Sequence, residues 1–117
     1  MTSTALMFGY DKLLNDTRCR ILEQAGISVV QTSDMSLVEQ SISARKMGIL
    51  VLCHTVPEQL SDHLFHRAQE LHPEMKTIRL YKFRPPAHEN PLHRTIGAMD
   101  GPTRLTETIH TLLDGAN

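Results

Sequence analysis

Two reactive side chains stand together at Cys53-His54, directly after the apolar run Ile49-Leu50-Val51-Leu52 and just before Thr55-Val56-Pro57. A thiol beside an imidazole is raw material for a nucleophile or a redox centre. The run before the pair is apolar at every position, as in a central parallel strand covered on both faces. In open α/β sheets the crevice at the carboxyl ends of such strands is where ligands and chemistry sit. Adjacent strand residues point to opposite faces, so a direct Cys53–His54 pair needs a turn at His54. Nothing near in sequence completes a catalytic set, which favours a small apolar role for Cys53 at a buried strand end.

Three further groups invite chemistry. His63 and His66 stand three apart and share one helix face, with His54 just before that helix, but no cysteine or acid completes a zinc set. Solvated helix histidines are the expectation, and no metal or other cofactor is expected. Arg79, Lys82, Arg84 and Arg94 gather around Lys82-Phe83-Arg84-Pro85-Pro86. With so few basic residues, protein contact is expected there rather than a nucleic-acid backbone. Asp11 reads as the N-cap of a helix before any metal role.

Composition narrows the classes. The chain has 117 residues, so one domain spanning 1–117 is expected, with no output domain attached. Its net charge of −1 gives no field that favours nucleic acid or an acidic membrane. Aromatics make up 4%, so Leu, Ile, Val and Met must build the core. Two cysteines make no disulfide framework and suit a reducing cytoplasm. The chain opens without a signal peptide's basic and apolar pattern, and no apolar stretch approaches the about 20 residues of a membrane span.

The elements that position these residues alternate. Ala5 to Phe8 reads as a strand. Leu13, Leu14, Thr17, Ile21, Leu22 and Ala25 then recur at helical spacing up to Gly26. Ile27 to Val30 is a second strand. Ser36 to Glu39 has a capping-box pattern opening a helix that buries Leu37, Val38, Ile42 and Met47. After the Cys53 strand, Thr55 to Glu58 repeats that pattern, and the helix it opens buries Leu60, Leu64, Ala68 and Leu71. Thr77 to Tyr81 is a fourth strand. Its alternation of Thr77, Arg79 and Tyr81 with Ile78 and Leu80 predicts one poorly covered face. Pro85, Pro86 and Pro91 exclude a normal helix from the following stretch. A weak strand around Thr95 to Ala98 precedes a last helix from Pro102, burying Leu105, Ile109, Leu112 and Leu113. This order predicts a doubly wound parallel sheet.

The order of elements, with Val29-Val30-Gln31-Thr32-Ser33-Asp34 and Leu50-Val51-Leu52-Cys53-His54-Thr55-Val56-Pro57, resembles a response-regulator receiver domain of two-component signalling. The resemblance implies a flavodoxin-like α/β fold of five strands in the order 2-1-3-4-5, with the fourth helix missing or reduced. It does not carry the family's chemistry across. Counting back from Pro57, the phospho-accepting aspartate falls on Cys53. The acidic pair that holds Mg²⁺ falls on Gly9 and Tyr10, and only Asp11, one step later, is acidic. The hydroxyl residue falls on Tyr81 and the lysine near Ala98. The chain thus resembles a degenerate receiver, a pseudo-receiver, since Mg²⁺ needs hard oxygen ligands and phosphoryl transfer needs the charge neutralisation they support.

The expectation is a stand-alone, non-enzymatic signalling or adaptor module without the aspartate phosphorylation site. Its partner is a protein, with a second copy of the chain as one candidate, and neither nucleic acid nor membrane. The expected partner surface is Arg79, Tyr81, Phe83 and Arg84, on the poorly covered side of the fourth strand. The alternatives are a Cys53-centred thiol sensor or enzyme, and a residual phosphorelay receiver working through Asp11.

Overall fold

The computed structural model describes residues 4–44, 47–82 and 92–113. In chain order the elements are β1 (Thr4–Phe8), α1 (Lys12–Gln24), β2 (Ser28–Thr32), α2 (Met35–Ala44), β3 (Ile49–Leu52), α3 (Glu58–Leu71), β4 (Lys76–Tyr81), β5 (His93–Gly97) and α4 (Pro102–Leu113). The five strands form one sheet in the order β2-β1-β3-β4-β5, and every neighbouring pair is parallel.

The all-apolar run is the middle strand, β3, and all four of its residues are 0% exposed. The period of two divides them between layers. Ile49, Val51 and then Cys53 join Ala5, Met7, Ile78, Leu80 and Ile96 under α1 and α4. Leu50 and Leu52 join Leu6 and Phe8 under Val38 and Ile42 of α2 and Leu64, Phe65 and Ala68 of α3. Each of the Leu, Ile, Val, Phe and Met side chains among them contributes about 2 kcal/mol of transfer free energy when fully buried.

Helix ends show which signals the backbone uses. Asp11 caps α1, its carboxylate accepting from the Leu14 amide at 3.0 Å. The helix stops in a Schellman motif: Ile27 N–H donates to the Leu22 carbonyl and Gly26 N–H to that of Glu23, both at 3.0 Å. Gly26 has φ 86°, a conformation that favours glycine. The two capping-box patterns are corrected. Helix α2 starts at Met35, and the carboxylate of Asp34, not Ser36, accepts the Ser36 amide at 2.9 Å. Pro57 occupies the N-cap of α3 without a side-chain bond, and the Thr55 hydroxyl instead accepts the Tyr10 amide at 2.8 Å. That bond ties the loop after β3 to the loop after β1.

The second face of β4 is not bare, which corrects the expectation for Arg79. Helix α3 runs for 14 residues and lays Ser61, Asp62 and Phe65 across it. Arg79 donates from Nε to the Ser61 hydroxyl at 3.2 Å and from Nη2 to the Asp62 carboxylate. Its guanidinium carbon lies 5.3 Å from the Phe65 ring centre, and its side chain is only 11% exposed. Thr77 is 1% exposed and meets His93 Nδ1 at 2.8 Å. The alternation therefore marks polar residues that are covered and partnered. Between β4 and β5 the described residues contain no helix, and the stretch 83–91 with its prolines lies outside them.

Replacing Arg79 by Ala should therefore destabilise the fold by about 1–2 kcal/mol, the scale of a charged hydrogen bond and a cation–π contact. Urea denaturation checks it. A stability equal to the parent's would mean that this face of β4 does not depend on α3.

Candidate functional site

The carboxyl ends of β1, β3, β4 and β5 converge, and the positions singled out from sequence lie there. Gly9 and Tyr10 follow β1, Cys53 follows β3, Tyr81 ends β4, and Ala98 follows β5. Backbone bonds continue the ladders past the strand ends. Gly9 N–H donates to Thr32 at 3.2 Å, Cys53 N–H to Phe8 at 2.9 Å, and Ala98 N–H to Tyr81 at 2.8 Å.

Gly9 and Cys53 are pressed together. A Cβ at Gly9 would stand 2.8 Å from the Cys53 Cβ, 2.8 Å from Asn15 Oδ1 and 3.0 Å from Cys53 Sγ. The Cys53 Cβ is fixed by its own backbone and cannot withdraw, so no side chain fits at Gly9 as the chain stands. Asn15 fills the space. It is 2% exposed, donates from Nδ2 to the Gly9 carbonyl at 2.9 Å, and accepts from Cys53 Sγ at 3.8 Å.

Arg18, one turn further along α1, is 8% exposed and lies against the same sulfur. The two residues were missed in sequence although their spacing carries the signal. Asn15, Arg18, Cys19 and Leu22 recur at i, i+3, i+4 and i+7 and form the buried stripe of α1. The more apolar stripe chosen from sequence is wrong in part, since Leu13 is 77% exposed.

Burial pushes the Cys53 thiol up to about 11, with Arg18 opposing it only partly. The Cys19 thiol is likewise pushed up to about 11, chiefly by burial and then by Glu23. His54 plays no part in the Cys53 shift. It lies on the turn after Cys53, and burial, then the charges of Arg18 and Lys82, hold it below the usual imidazole range. Its Nδ1 is buried without a hydrogen-bond partner.

The remaining residues do not assemble a metal pocket. The Asp11 carboxylate is committed to capping α1. Tyr10 is half exposed, with its ring edge-on to Phe8 at 5.5 Å. Tyr81 and Ala98 meet through backbone alone among the bonds above. The Mg²⁺ that a receiver pocket implies does not fit here. Gly9 has no room for a carboxylate, Cys53 offers a protonated thiol, and a guanidinium stands beside it. Among the described residues no three His, Cys, Asp or Glu side chains are grouped to hold a metal, and His63 instead faces Glu39 at 3.5 Å. Of the expected partner surface, Arg79 is engaged by α3, Tyr81 is partly exposed, and Phe83 and Arg84 lie outside the described residues.

Two outcomes follow. At pH 7.5 both thiols should react with a maleimide or disulfide reagent at least ~100-fold more slowly in the folded protein than in denaturant, from the thiolate fraction alone. Prompt labelling of Cys53 in the native state would contradict its burial. Replacing Gly9 by Ala should cost about 1–3 kcal/mol through overpacking, and an unchanged urea midpoint would show that β1 and β3 can separate there.

No family model matches the chain, and no curated protein matches it. Solved structures do. A receiver domain protein (CheY-like) from Methanospirillum hungatei JF-1 has a TM-score of 0.82 at 21% identity, covering 99% of this chain and 97% of that chain. A response regulator receiver protein from Sinorhizobium medicae WSM419 gives 0.80 at 15%, covering 99% and 98%. The receiver domain of the hybrid histidine kinase CckA gives 0.73 at 12%, covering 94% and 98%. Over nearly its whole length, this chain has the fold of a response-regulator receiver domain.

Proposed function

We propose that this chain is a receiver-like signalling module that acts by binding a protein partner and is not switched by aspartate phosphorylation. The observation that carries the reading is the acceptor position itself. It holds Cys53, a buried thiol packed onto Gly9 and Asn15 with no space for a carboxylate pair beside it. The fold supports the signalling role, and the chemistry at the strand ends supports the loss of the phosphate switch.

The same burial weighs against the Cys53-centred redox or enzymatic alternative, because the thiolate is the reactive form. Asp11 gives a residual phosphorelay little support, since its carboxylate is the helix cap. The module catalyses no reaction on this reading. Its partner is a protein or a second copy of the chain. A net charge of −1 speaks against nucleic acid. Among the described residues no helix is long and apolar enough to cross a membrane. A cytoplasmic setting and no membrane partner belong to the proposal. Tyr81, with Phe83 and Arg84 after it in sequence, is the proposed contact region. Arg79 serves it indirectly by fixing α3 to β4.

Beryllofluoride with Mg²⁺ should leave the amide spectrum unchanged around Gly9, Cys53 and Ala98. Saturable shifts there that require Mg²⁺ would overturn the loss of the phosphate switch. For the partner, immobilised protein is used for affinity capture beside sedimentation at rising concentration. If no protein is captured and the chain stays monomeric at every concentration, the adaptor reading fails.

A further inference from the structure

Arg18 brings a charge into the core without a counter-charge. It projects from the buried stripe of α1, is 8% exposed, and its Nη1 is buried with no hydrogen-bond partner. Arg18 takes part in none of the ion pairs Lys12–Asp16, His63–Glu39 and Arg79–Asp62. The neighbouring thiol of Cys53 is neutral. An unpaired buried cation is costly, and where it persists an anion is the natural complement.

Arg18 also lines a pocket between α1, α4 and the carboxyl ends of β4 and β5. The pocket measures about 100 Å³, and Leu14, Ile21, Leu80, Ile96 and Leu105 give it apolar walls, with Ala98 at the end of the sheet. Thr17 also lines it, but its hydroxyl already donates to the Leu13 carbonyl at 3.0 Å. Arg18 is left as the one side chain there with an unused donor.

We propose that this pocket binds a small monocarboxylate of two to four carbons, its carboxylate on Arg18 and its alkyl end against Leu80, Ile96 and Leu105. Size and charge decide the class. A cavity of about 150 Å³ takes the six carbons of benzene, so this one takes roughly four non-hydrogen atoms, with a little more at its open side. A carboxylate matches the planar fork of a guanidinium. A phosphate dianion would bring more oxygens and charge than one guanidinium and an apolar wall can satisfy. This site is independent of the partner reading above.

The test is an amide NMR titration of the full chain with sodium propionate, against sodium chloride and sodium phosphate at equal ionic strength. Propionate should give saturable shifts at Gly97, Ala98 and Gly101, with a Kd on the order of millimolar for so few atoms. Burial and then the Arg18 charge hold the His54 pKa down, so an anion bound on Arg18 should raise it. Arg18→Met should abolish the saturation and raise the His54 pKa by itself. Ala98→Leu, which fills the pocket and leaves the guanidinium in place, should abolish binding and leave the His54 pKa low. It decides the matter if Arg18→Met does not fold. Shifts that fail to saturate, binding unchanged in a folded variant of either kind, or phosphate binding tighter than propionate would each overturn the proposal.

Discussion

The two-sided burial of β3 is the constraint on which the rest of the molecule depends. Four consecutive side chains at 0% exposure require a strand on each edge and a helical layer on each face. Parallel neighbours must be joined by crossovers, and the crossovers supply those layers. With α1 and α4 on one side and α2 and α3 on the other, the carboxyl ends of β1, β3, β4 and β5 are left at one rim. Whatever occupies Gly9, Cys53, Tyr81 and Ala98 is therefore brought together by burial elsewhere, not by attraction between those residues.

That separation of causes means that the fold does not depend on any particular chemistry at its rim. The bonds that close the rim come from the backbone: Gly9 to Thr32, Cys53 to Phe8 and Ala98 to Tyr81. They make no demand for a carboxylate or a lysine. What must be satisfied is volume and polarity, and Asn15 does both by bonding Gly9 and Cys53 at once. A pair of acids would repel one another there without a cation, whereas an amide, a thiol and a glycine pack as a neutral set.

Much of this was legible in the sequence because the strongest signals are local and two-sided. The run through Leu52 gives the central strand, Gly26 gives the end of α1, and Asp11 gives its start. The resemblance gave the sheet order, and the solved structures bear it out. The errors over Arg79, Thr77, Asn15 and Arg18 share one cause, which is that polarity was taken for exposure. Arg79 and Thr77 are covered because α3 and His93 provide partners from far along the chain. Asn15 and Arg18 are covered because the space beside Gly9 and Cys53 needs polar filling. Arg79, Thr77 and Asn15 are buried by tertiary hydrogen bonds to partners that lie elsewhere along the chain. The capping boxes failed for a related reason: Thr55 has a better use in holding the Tyr10 amide across the rim.

Arg18 shows where this leaves the electrostatics of the rim. Where the receiver pattern places a lysine, after β5, this chain has Ala98, and its cation comes from α1 instead. The cation faces a neutral thiol and, after burial, lowers the proton affinity of His54, while carboxylates along the same edge are held by backbone amides: Asp11 by Leu14, Asp34 by Ser36 and Asp100 by Gly97. His54 is held below its unfolded pKa, so its contribution to stability is present above about pH 6.5 and is lost as pH falls through the folded value. Charging His54 beside Arg18 and Lys82 is unfavourable for the same reason that a divalent cation would be. Arg18 and Lys82 are thus unfavourable neighbours for a metal cation beside His54, and the electrostatics there agree with the packing at Gly9 and Cys53, which leaves no room for a carboxylate.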